Sequence, residues 1–92
     1  MLNENFDFKT TGDTLLRGER IFYQEESNSV MVIAFILKGL LHNSDTVIIK
    51  EYEFNILSLH LRNEKILEVP EYEWVGIELK ANSDNLKILG IS

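Results

Sequence analysis

The sequence predicts a mainly β protein, a single small antiparallel barrel or sandwich of five to seven strands. Three observations carry this. Apolar stretches of strand length alternate with turn-forming Asn, Asp, Ser and Gly clusters. The longest apolar run, "VMVIAFIL" at 30–37, is rich in β-branched residues. Finally, 92 residues, 45% of them apolar, suffice for one core and are too few for two. The chain has no cysteine, which excludes disulfides, thiolate nucleophiles and zinc ribbons.

Residues 1–13 read as a polar N-terminal arm or edge strand, since Phe6 and Phe8 share a parity but the surroundings are polar. Residues 14–92 form the single globular domain. "TLLRGERIFYQ" passes through "EESNS" into the apolar run, the pattern of a hairpin. Gly18, alone between charged residues, suits a turn or bulge and not a phosphate-cradling loop, which needs several glycines before a helix. For the run itself the alternative is an α+β fold, with a helix at about 28–42 on an antiparallel meander. Its β-branched residues and Gly39 favour a strand buried on both faces. Such a strand must be enclosed by its own chain or by another copy, which makes Val30, Val32, Ala34 and Ile36 a candidate oligomer interface.

Beyond the "HNSD" turn, "VIIKEYEFNILSLHL", "RNEK", "ILEVPEYEWVGIELK", "ANSDN" and "LKILGIS" read as a continuing meander. Asn43-Ser44-Asp45 recurs as Asn82-Ser83-Asp84, and both are read as turns. A hairpin with Leu61 opposite Lys65 pairs Leu59 with Leu67 and Leu57 with Val69, apolar against apolar. It also brings two similar stretches together, "EYEF" at 51–54 and "EYEW" at 71–74, with Phe54 against Tyr72 and Tyr52 against Trp74. The parity changes after each aromatic pair. Either aromatics and aliphatics cover opposite faces, or bulges near Asn55-Ile56 and Gly76 return them to one.

In that register Glu53 faces Glu73. Facing carboxylates can serve glycosidases or hard cations, but so short a chain leaves little wall for a cleft and no calcium-loop pattern occurs. Glu51, Glu53, Glu71 and Glu73 are therefore read as a solvated acidic face. With Tyr52, Phe54, Tyr72 and Trp74 as anchors where exposed, they form the candidate partner-binding set. Ser58, His60 and Asp45 make a triad only on paper, because no nucleophile elbow is present. No catalytic residue, metal site or cofactor is expected.

Fifteen acidic residues against nine basic ones give a net charge of −6, which argues against nucleic acid and favours a protein partner with a basic surface. The opening "MLNENFDFKTTGD" has neither the basic nor the apolar region of a secretory signal. An eight-residue apolar run is far short of a membrane-spanning helix. The expected setting is cytoplasmic, and the composition suggests a bacterial or phage gene. The expected function is a non-enzymatic, small acidic protein-interaction module, an immunity- or inhibitor-like accessory protein that binds a basic partner. A self-assembling structural subunit of a larger complex or virion and a small-ligand-binding barrel are the alternatives.

Overall fold

The computed structural model describes residues 5–91, and residues 1–4 of the N-terminal segment lie outside them. Among the described residues nine strands and one short helix follow one another: β1 (Phe6–Thr10), β2 (Leu15–Gln24), β3 (Ser29–Lys38), β4 (Leu41–His42), β5 (Thr46–Ile49), β6 (Tyr52–Leu61), β7 (Glu64–Ile66), β8 (Glu68–Val69), β9 (Trp74–Lys80) and α1 (Ser83–Ile88). The main sheet has the order β5-β1-β2-β3-β9-β6-β7. Because β5 also pairs with β6, six strands close into an antiparallel barrel and β7 is an extra strand beside β6. Closure removes the exposed edges that a small open sheet would present.

The apolar run is β3, a strand and not a helix. It lies between β2, its partner along most of its length, and β9, its partner over Ser29–Phe35. Alternate residues Val30, Val32, Ala34 and Ile36 point inward and are fully buried among Leu16, Ile21, Val75, Ile77 and Leu79. That corrects their assignment to an oligomer interface. A surface at 0% exposure has nothing to offer a second copy, and the chain encloses its own central strand.

The N-terminal segment is likewise more than an arm or an edge. β1 pairs with both β2 and β5 and closes the barrel, with Phe8 and Thr10 buried. Gly18 marks a bulge in β2, where the register shifts between Gly18 and Arg20. A Cβ at Gly18 would run into the Phe6 ring, so glycine leaves the space in which that ring lies across β2.

Two chain segments extend this core at opposite ends. Where β3 finishes, the β4–β8 ribbon adds buried Leu41 and Val69. Past β9, the last residues form α1 instead of the expected turn and strand. The Asn82 side chain accepts from Asn85 N at 2.8 Å and caps the helix, and Leu89 and Ile91 join the core. No helix among the described residues is long and apolar enough to cross a membrane.

Candidate functional site

The segment after Pro70 reaches the barrel by pairing with Ile36, near the end of β3. Tyr72 N donates to Ile36 O at 2.8 Å, and Ile36 N donates to Glu73 O at 3.1 Å. These two bonds extend the β3–β9 ladder backward and leave Tyr72 with φ +66°, the left-handed region that a bulky residue rarely occupies. Tyr72 is nevertheless 70% exposed, and Trp74 is 48% exposed. Phe35, the cross-strand partner of Trp74, lies between them. Its ring centroid is 5.2 Å from Trp74 with a 59° tilt and 6.5 Å from Tyr72 with a 35° tilt. Glutamates flank the rings. Glu71 Oε1 accepts from Gly39 N at 3.1 Å, and Glu73 Oε2 lies 3.6 Å from Arg62 Nη2.

The patch opens onto a groove on the barrel's outer wall, about 680 Å³ in volume. Strand registers order the wall around it in rows. Phe22, Met31, Glu78 and Ser58 form one row across β2, β3, β9 and β6, and Arg20, Ile33, Gly76 and His60 form the next. Gly76 is therefore regularly paired and not bulged. A Cβ there would come within 3.0 Å of Met31 Sδ, so its bareness lets Met31 lie over the floor. The bulge expected near Asn55-Ile56 is present, between Ile56 and Ser58. It turns Leu57 outward while Phe54 and Leu59 both face the core.

Polar chemistry in the groove converges on Glu78. Ser29 Oγ donates to Glu78 Oε2 at 2.6 Å and Ser58 Oγ donates to Oε1 at 2.5 Å. His60 Nε2 stands 3.4 Å from Oε1 and 2.7 Å from Ser58 Oγ. The hydrogen bonds from Ser29 and Ser58, helped by His60 and opposed by partial burial, hold the Glu78 carboxyl at about 2, well below its ordinary 4.5.

Serine, histidine and carboxylate are together, but not as a triad. A triad base bridges serine with one ring nitrogen and the acid with the other, whereas Ser58 and Glu78 meet the same nitrogen. Ser58 also donates its one proton directly to the carboxylate, so its oxygen is not activated. Asp45 is elsewhere, its Oδ2 accepting from His42 N at 2.9 Å. The cluster ties β3, β6 and β9 together across the wall. Nothing local in the sequence marks it, since Ser29, Ser58 and Glu78 come from three strands far apart in sequence that meet only because β9 pairs between β3 and β6.

The eight residues expected to act together are split. The hairpin at 62–63 is tighter than its expected register, with Leu61 opposite Glu64 and Leu59 opposite Ile66. Arg62 and Asn63 take φ +50° and +68°, as a two-residue hairpin turn requires. Pairing then stops, and β9 returns alongside β6 with Ile56 opposite Leu79. Tyr52 and Trp74 thus sit at opposite ends of the β6–β9 pair. Tyr52 faces Ile49 and Phe54 faces Val47 across the β5–β6 hairpin, while Glu53 faces Ile48 and not Glu73. Phe54, at 3% exposure, is core and drops out of the anchor set. Glu51, Tyr52 and Glu53 remain exposed at the β5–β6 end, whereas Glu71, Tyr72, Glu73 and Trp74 cluster with Phe35.

The fold and its site define a small closed β-barrel with an aromatic–acidic patch on its outer wall. Comparison with known proteins finds no matching family model, no matching curated protein and no matching solved structure.

Proposed function

We propose that this barrel is a non-enzymatic protein-interaction module that binds, and by occupancy inhibits, a partner with a basic surface through Phe35, Tyr72 and Trp74. One observation carries the reading: Tyr72 is held in a left-handed conformation while most of its ring is exposed. That conformation costs roughly 1–2 kcal/mol for an L-residue, and an exposed ring returns little of it to the core. The two backbone bonds to Ile36 hold this conformation but leave the side chain at the surface, and strain at an exposed aromatic is a feature of functional positions. Exposed Trp and Tyr are also the commonest anchors of interfaces. Glu71 and Glu73 beside the rings, within a chain of net charge −6, support a basic partner and fast association.

A cytoplasmic, immunity- or inhibitor-like role in a bacterium or phage is the setting that best suits a small acidic barrel without cysteine. The test compares what two variants capture from the source cell. One carries Glu71→Lys, Tyr72→Gly and Glu73→Lys; the other carries Glu51→Lys, Tyr52→Ala and Glu53→Lys at the far end. Loss of wild-type partners from the first set alone is expected. Retention by the first set rejects the surface.

A further inference from the structure

The patch has a specific chemistry. We infer that it receives a cationic side chain, arginine or lysine, of the partner protein, in the place now taken by the chain's own Arg62; this rests on the interaction surface proposed above. Tyr72, Phe35 and Trp74 offer π faces, and Glu71 and Glu73 flank Tyr72 in sequence. Aromatic faces beside carboxylates attract a cation by both the ring quadrupole and the charge.

The molecule places one of its own cations beside these carboxylates. Arg62 lines the same groove as Trp74 and places Nη2 3.6 Å from Glu73 Oε2. This separation is longer than a hydrogen bond, and with side-chain exposures of 78% for Arg62 and 35% for Glu73 the pair is weak and displaceable. On the same outer wall Arg20 sits over the Phe22 ring, 5.0 Å from its centroid, so this face holds one cation-on-aromatic contact of its own. Lys65 also lines the groove but makes no ion pair with Glu73 among the described residues, and Arg17, opposite Phe35, is turned to Asp7 at 3.4 Å. Arg62 therefore acts as an internal stand-in that an incoming arginine or lysine replaces.

Trp74 is the only tryptophan, so its emission reports on the patch directly. Acetylated and amidated Gly-Gly-X-Gly-Gly peptides, with X arginine, lysine, norleucine or glutamate, are titrated into the intact protein at constant ionic strength. The arginine and lysine peptides are expected to bind saturably with a Kd on the order of millimolar, as suits one side chain. Glu73→Gln should weaken them several-fold, and Arg62→Ala should tighten them several-fold by removing the competitor. The inference is overturned if the norleucine or glutamate peptide binds as tightly as the arginine one, or if no peptide changes the emission. An Arg62→Ala variant with unchanged or weaker affinity overturns it too. Such a failure, with partner capture still lost in the Tyr72 variant, rejects the cation and leaves the surface standing. Partners retained by that variant reject the surface itself.

Discussion

Substitutions at Tyr72 separate strain from recognition. Tyr72 has φ +66°, its N–H is bonded to Ile36 O, and its ring touches only the periphery of the aromatic patch. Tyr72→Gly relieves about 1–2 kcal/mol of left-handed strain. Against that stand about 0.5–1 kcal/mol for the greater freedom of glycine in the unfolded chain and about 0.5–1 kcal/mol for the lost ring contact. The sum leaves the glycine variant within about 1 kcal/mol of wild type. Tyr72→Ala loses the same ring and keeps the strain, so it falls roughly 1 kcal/mol below the glycine variant. Urea unfolding followed by far-ultraviolet circular dichroism resolves this difference without relying on the neighbouring Trp74. At an ordinary strand position alanine is the more stable of the two. An alanine variant equal to or above the glycine variant would refute the strain argument and remove the main support for a functional Tyr72.

Other consequences are open to simpler checks. Glu78 has its pKa lowered from 4.5 to about 2, so its contribution is complete above 4.5 and is lost as pH falls toward 2. The loss should be on the order of 3 kcal/mol, and a denaturation series in Glu78→Gln should be flatter across that window. Gly18→Ala, whose Cβ would strike the Phe6 ring, should cost roughly 1–3 kcal/mol in urea unfolding without changing the fold. Glu51→Gly should do the reverse. Lys50 and Glu51 form the β5–β6 turn at φ +54° and +70°, and glycine there should raise Tm by about 4–8 °C for each kcal/mol of strain removed.

How far the sequence reveals the fold depends on whether a signal is local. The β-branched residues of 30–37 and the polar cluster before them point to the β2–β3 hairpin, and both are present. The pattern around 62–63 is ambiguous because apolar pairing scores well in a register that backbone geometry does not adopt. Asn63 tolerates the left-handed conformation, and the tight turn moves the register by one. Asn-Ser-Asp occurs twice with different outcomes, and the next four residues decide between them. Thr46-Val47-Ile48-Ile49 continues as a strand, whereas Asn85-Leu86-Lys87-Ile88 lets Asn82 cap a helix. The shared parity of Phe6 and Phe8 marks β1 as a strand, but its place inside the closed barrel has no local mark, because its pairing partners lie in β2 and β5.

The site is legible to the same degree. The aromatics and glutamates of 71–74 stand out in the sequence, but their separation from 51–54 results from β9 pairing between β3 and β6. Phe35, which completes the patch, is hidden inside an apolar run. Only its odd parity in β3, opposite to that of Ala34 and Ile36, puts it on the outer wall.

The central claim is that position 72 touches a partner and position 52 does not. A photoreactive phenylalanine analogue placed at each position in turn, irradiated in the source cell, tests it most directly. Position 72 should give a discrete adduct heavier than the monomer, attached within a few residues of an arginine or lysine of the partner, and position 52 should give none. Adducts formed only from position 52, or from neither, would contradict it.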